Sequence, residues 1–251
     1  MNSTRIIRVF AAVVFASMLS SAALMSPPAQ AAATRCLPSD IIDLHTWKLT
    51  LPINNAQEIT LPALYTYQSP YFNHEACTAV VFRTPIGGAT TPNSSYSRTE
   101  LREMTGSEGT RLASWSNTSG THEMDWRVAV DNAPPAKPQV VVGQVHDPND
   151  DVIQVLYDGK AGAITYRWLG KTTGQLVSGY RLGTPVDLKI VASGGGFQLY
   201  ANGALKATQS RPGSGLYFKA GDYPQSSPGR GDDPNFHSQV RISKLAVKHV
   251  P

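Results

Sequence analysis

The chain is short of most features that mark a familiar enzyme class. It has two cysteines in 251 residues, Cys36 and Cys77, with no C-x-x-C pair and no clustered histidines beside them. That excludes a disulfide-built scaffold and gives no support to a thiol or zinc site at these positions. It has no G-x-S-x-G, no zinc-type histidine spacing and no phosphate-binding glycine loop. Glycoside hydrolysis normally needs two carboxyl groups set across a sugar, and the one conspicuous candidate, Glu100, is flanked by arginines. Charge of one sign is also scarce. Twenty-two Lys and Arg stand against 18 Asp and Glu, a net +4, which is not the polybasic signature of a nucleic-acid binder. Helical periodicity is nearly absent: Ser39 or Asp40 can cap a short turn through Leu44, and no long segment repeats its apolar residues every 3.6 positions.

What is present begins with a leader. Arg5 and Arg8 form a positive head, Val9 to Leu19 an apolar core, and Ala29-Gln30-Ala31 a small-x-small cleavage site. The apolar run is too short for a membrane span. Residues 1–31 therefore read as a signal peptide and 32–251 as one secreted, soluble domain with no membrane partner. Cleavage takes two arginines and no acids, so the mature charge falls to about +2. In an oxidising compartment Cys36 and Cys77 are expected to pair as a disulfide, with two separate thiols as the alternative.

Strand signals fill the rest, broken by clusters of Gly, Pro, Asn and Ser. Trp47–Leu51 alternates and stops at Pro52. His122, Met124, Trp126, Val128 and Val130 share one parity, which makes His122 a structural histidine. Asn202-Gly203 is the pair most favoured at tight hairpins, and the last strand, Gln239 to Val247, changes parity between Ile242 and Leu245, predicting a bulge. Ten or more short strands without a repeat or linker point to an all-β fold, a two-sheet antiparallel sandwich of the β-jelly-roll kind. The Pro-, Gly- and Asp-rich stretch 226–236 reads as a long loop and a candidate lid.

Three stretches carry chemistry. In Arg98-Thr99-Glu100-Leu101-Arg102 the charged residues share one face of a strand. They form either a solvated, ion-paired surface or a groove floor that grips an acidic ligand. In Gln144-Val145-His146 the amide and imidazole face together, with Val145 toward a core. The histidine is either structural or a base tuned near neutral pH. In Tyr217-Phe218-Lys219-Ala220-Gly221-Asp222-Tyr223-Pro224-Gln225, Tyr217 and Lys219 share a face, and Tyr223 is either loop packing or a proton donor at a groove edge. Cations, an amide, a neutral base and a phenol suit β-elimination from an acidic sugar polymer. Neutralising a uronate carboxylate acidifies the adjacent C5 proton and stabilises the enolate-like charge that develops.

These three motifs, in this order, resemble the signature motifs of polysaccharide lyase family 7 alginate lyases, and Trp47-Lys48-Leu49-Thr50-Leu51-Pro52 is similar to that family's first strand. The resemblance runs from about Leu44 to His249. It implies a jelly roll with an open concave cleft, acting without metal or other cofactor on alginate, and a monomer is expected. It assigns Arg98 and Gln144 to carboxylate neutralisation, His146 to the base for guluronate or to help in neutralisation, and Tyr223 to the acid at O4, and for mannuronate to base as well. Glu100, Arg102 and Lys219 would hold the site and subsites together, and with Tyr217 and Gln225 would bind substrate. In the family, valine at the middle of the second motif tends to accompany mannuronate preference, and Asp222 beside Tyr223 would raise the phenol's pKa. A lyase for another polyuronate such as glucuronan, or a jelly roll that only binds anionic glycans, are the competing readings.

Overall fold

The computed structural model describes Met1 and residues 36–251, and the leader expected over 1–31 lies, Met1 apart, outside them. Among the described residues the helical content is three 3₁₀ turns, at Pro38–Asp40, Ala63–Thr66 and Pro228–Arg230. No helix among the described residues is long and apolar enough to cross a membrane.

The strands form two antiparallel sheets. The nine-stranded sheet runs β11 (Lys171–Ser178), β10 (Ala163–Trp168), β9 (Asp151–Asp158), β8 (Gln139–His146), β15 (Tyr217–Pro224), β5 (Thr99–Thr105), β1 (Trp47–Thr50) and β2 (Glu58–Ile59). The short β6 (Arg111–Leu112) pairs with β5. The seven-stranded sheet runs β14 (Ala204–Ser210), β13 (Gly196–Ala201), β12 (Val186–Ser193), β7 (Thr121–Asn132), β16 (His237–Val250), β4 (Ala79–Pro85) and β3 (Phe72–Glu75). Sequence neighbours are often not sheet neighbours, as when β15 inserts between β5 and β8, which is the crossed wiring of a jelly roll.

Alternation decides which residues enter the sandwich. Leu49, Leu101, Val145, Phe218 and Ala220 point inward to meet Phe82, Trp126, Val128 and Ile242 from the other sheet. Their counterparts Lys48, Arg102, Gln144 and Lys219 line the outer face. Glu103 also points inward and is buried. Its carboxylate accepts from Trp115 Nε1 at 3.0 Å, Phe218 N at 2.8 Å and His249 Nε2 at 2.6 Å, so a polar group under the sheet is fully bonded. His122 is structural as its parity implies: buried, its Nε2 faces the carbonyls of Ser116 and Ser119 and its Nδ1 meets His249. The Asn202-Gly203 hairpin joins β13 to β14, with both residues at positive φ, 48° and 78°. The bulge of the last strand falls between Ile242 and Lys244.

Two expectations need correction. The 226–236 loop is not a free lid. The Asp232 carboxylate accepts from Ala136 N at 2.7 Å, Lys137 N at 3.2 Å and Ser226 Oγ at 2.5 Å, tying the loop to the bend that leads into β8. The Cys36–Cys77 disulfide is not formed, and both residues are free thiols. Cys36 Sγ donates to the Leu37 carbonyl at 3.8 Å, and the neighbouring Cys77 thiol, with burial and the charge of Asp40, pushes Cys36 up to about 11. Thiol titration of the unreduced protein in denaturant should count two reactive groups per chain; a count of zero would restore the bridge.

Candidate active site

The three motifs come from three adjacent strands of the nine-stranded sheet, β5, β15 and β8. Lys219 pairs with Arg102 on one side and with Gln144 on the other, and Tyr217 pairs with His146. Their outward side chains line a cleft of about 340 Å³ that also takes in Lys48, Ser94 and Gln154, with walls at 91–94 and 149–151.

Below the floor lies Glu100, 1% exposed. Its Oε2 is 2.5 Å from Lys219 Nζ and 3.2 Å from Arg98 Nη1, and its Oε1 accepts from Gln144 Nε2 at 2.5 Å. Burial alone would raise its pKa, but the Lys219 and Arg98 charges, with the hydrogen bonds from Lys219 and Gln144, hold it below the usual carboxylate range. Glu100 is therefore an ionised strut that knits the three strands, not the substrate contact expected from sequence. Lys219 answers in the opposite sense: burial, helped by Arg98 and Arg102 and opposed by Glu100, brings it down to about 8.

His146 donates Nδ1–H to the Asp147 carbonyl at 2.6 Å. A carbonyl can only accept, so the neutral ring leaves Nε2 with a free lone pair, the form a base needs. Burial, reinforced by the Lys219 charge, lowers its pKa and favours that neutral form. The ring stacks on Tyr217, centroids 5.2 Å apart, and Tyr217 in turn carries the Arg102 guanidinium at 3.9 Å. Arg98 lies over the Tyr223 ring at 3.7 Å.

Two bulges bring these groups to one face. On β8 the register slips between Val141 and Gly143, so Val140, Val142 and Val145 face the core while Val141, Gln144 and His146 face out. Gly143 fits because an added Cβ would lie 2.7 Å from Trp126 Cζ2. On β15 the slip falls between Ala220 and Tyr223, and Gly221 there has φ 151°, where a Cβ would meet the Thr99 carbonyl at 2.5 Å.

Sequence reasoning placed Arg98, Arg102, Gln144, His146, Tyr217, Lys219 and Tyr223 on one cleft, and the structure brings them together there. Gln225 is set apart: it is buried beyond Tyr223, and its Oε1 accepts from Arg167 Nη1 at 2.9 Å. Missed altogether were Lys48, Ser94, Gln154 and Arg167. Lys48 alone carried a signal, an outward position in an alternating strand. Asp222, expected to raise the Tyr223 phenol, faces the other way. Both its oxygens lie 2.8 Å from Ser238 Oγ, and burial drives it up to about 8, so it lends Tyr223 little charge at neutral pH.

The comparisons agree with this geometry. Residues 42–249 match the family model described as alginate lyase. The chain belongs to that family. It is 47% identical to AlgAT5, an alginate lyase of polysaccharide lyase family 7, with TM-score 0.84 over 86% of this chain and all of that one. Against the alginate lyase of Corynebacterium sp. the figures are 40% and 0.81, over 85% of this chain and 98% of the other. An alginate lyase of Klebsiella pneumoniae is 26% identical over 92% of this chain and 97% of its own. A His-to-Asn, Tyr-to-Phe double variant of alginate lyase A1-II′ has been solved with a GGMG substrate, at 25% identity and TM-score 0.75 over 86% of this chain and 97% of that one. The chain is accordingly a jelly-roll polysaccharide lyase. The group that could hold a metal among the described residues, Cys36, His74 and Cys77, has no member in the cleft lining.

The neutral Asp222 makes a testable statement about stability. Its folded pKa of about 8 lies above the ordinary value of 3.8. Its contribution is therefore fully present below about 3.8 and is lost as pH rises through about 8. Asp222→Asn, which keeps the shape without the titration, should flatten the fall in unfolding free energy between pH 5 and 8.5. Equal slopes in urea melts of the two proteins would refute the assignment.

Proposed function

We propose that the enzyme cleaves alginate within the chain, at the cleft over Glu100, with Arg98 and Gln144 neutralising the uronate carboxylate and Tyr223 as the acid. Glu100 uses only part of the donor capacity around it. One Gln144 N–H goes to Glu100 and the second is left for the cleft, and Lys219 keeps two of its three N–H groups. Arg102 adds charge on the same face, while Lys48 there is paired with Glu58 at 2.6 Å. A carboxylate seated there loses its repulsion of a developing carbanion at C5. The base then takes the C5 proton, the C5–H electron pair becomes the C4=C5 double bond, and the C4–O4 bond breaks toward oxygen. The departing O4 takes the Tyr223 proton, which leaves a 4,5-unsaturated uronate and no step that consumes water.

The observation that carries this reading is one floor holding both an imidazole with a free Nε2 and a phenol pressed by a guanidinium. His146 serves as base for guluronate, whose C5 proton lies on the face opposite O4. For mannuronate the proton and O4 share a face, so Tyr223 can serve as both base and acid. We take poly-mannuronate as the better substrate because of Val145. That side chain is fully buried in the core, so its influence must pass through the placement of Gln144 and His146 on either side of it. Cleavage inside the polymer fits a polar floor that continues past the cleft centre, where Arg167 holds Gln154, Gln225 and Gln139 at 2.8–2.9 Å.

Tyr223→Phe should abolish nearly all turnover while keeping most polymer binding, followed as absorbance of the unsaturated product and as retention on immobilised alginate. A variant that cleaves at near the wild-type rate would remove Tyr223 from its role. The same assay on mannuronate blocks, guluronate blocks and glucuronan ranks the substrates, and faster cleavage of guluronate blocks would reverse the stated preference. We further propose that the enzyme is exported as a monomer after cleavage at Ala31. N-terminal sequencing of protein from the medium should then begin at Ala32, and a start at Met1 would count against export.

A further inference from the structure

Ser94 lies on the cleft wall, outside the three motifs, and its hydroxyl meets four polar atoms. Arg98 Nη2 is 3.0 Å away, the Tyr96 amide nitrogen 3.2 Å, the Tyr96 carbonyl 3.0 Å and the Tyr223 hydroxyl 3.1 Å. The first two are obligate donors, because neither a guanidinium nor a backbone N–H can accept. Together they occupy both lone pairs of Ser94 Oγ. Only its single hydrogen is left to give, either to the Tyr96 carbonyl or to the Tyr223 oxygen. Tyr223 therefore cannot spend its own proton on Ser94, and that proton is left to point into the cleft.

We propose that Ser94 is the positioning residue of the acid step. With the phenol neutral, its hydrogen goes to the Tyr96 carbonyl and its filled lone pairs turn the phenolic hydrogen away, toward O4. Once that hydrogen has gone to the departing O4, Ser94 turns its O–H from the Tyr96 carbonyl to the phenolate. It thereby links the new negative charge to Arg98, whose Nη2 bonds the same hydroxyl while its guanidinium covers the Tyr223 ring. A hydrogen bond that forms fully only as charge develops lowers the barrier without tightening ground-state binding. Glu100, on the far side of Arg98 at 3.2 Å from Nη1, fixes the guanidinium that organises this corner.

This inference rests on Tyr223 being the acid, and the test separates the two. Ser94→Thr and Ser94→Val have nearly the same volume and differ by the hydroxyl, while Ser94→Ala removes the hydroxyl with least bulk. Val and Ala variants should lose about 10- to 100-fold in kcat with KM within about threefold of wild type, as expected for a hydrogen bond to a charged group. The Thr variant should retain most of kcat, and Tyr223→Phe, measured in parallel, should be nearly inactive. Wild-type kcat in Ser94→Ala would overturn the proposal, as would equal losses in Thr and Val, or a raised KM with kcat unchanged. If instead Tyr223→Phe keeps its activity, the acid assignment itself fails and Ser94 falls with it.

Discussion

The buried carboxylate of Glu100 holds the site together. An ionised group this deep persists only where charge and hydrogen bonds replace the lost water. Lys219, Arg98 and Gln144 supply them from β15, the entrance to β5, and β8. Removing one member of such a buried group typically costs about 3–5 kcal/mol, because the others are left uncompensated. The strut sets the spacing of the amide and cations above it, and it partly neutralises them so that three positive side chains can share one floor. Lys219 shows the tension: even beside Glu100 it is brought down to about 8.

The second constraint is backbone geometry. Two bulges in the neighbouring strands β8 and β15 reset side-chain parity at nearly the same level of the sheet. Beyond them Val141, Leu156 and Tyr223 cluster on the outer face, with Tyr96 packed against them. The phenol is thus backed by an apolar patch and the Arg98 guanidinium, while Asp222, one residue earlier, turns inward to Ser238 and stays neutral. The bulge keeps those two neighbours in separate environments.

Much of this was legible in the chain. Period-two alternation placed Arg98, Glu100 and Arg102 on one face and Val145 and Leu101 on the other, as found. It could not tell which charged group would line the cleft and which would be sealed beneath it, because that depends on where β15 inserts. In the sequence Glu100 could accordingly be read both as a brace of the site and as a substrate contact, and burial leaves it the first. Val186–Ser193 alternates as clearly as any strand, with every second residue buried, yet it lay between conspicuous turns and drew no attention. The loop at 226–236 looked free because its anchor, Asp232, binds amides nearly a hundred residues away. Ser94 and Arg167 were invisible for the same reason: a serine before a strand and an arginine within one are ordinary until their partners arrive.

By itself the sequence determined the all-β class, the hairpin at Asn202-Gly203, the inward and outward faces of each chemical strand, and the family, since these follow from local residue order. Tertiary structure alone decided that the three motifs adjoin, that Glu100 is a strut, that the thiols stay unbonded and that Asp222 is neutral. Those outcomes depend on burial and on partners far away in the chain, and neither distance nor dielectric environment is written in local sequence.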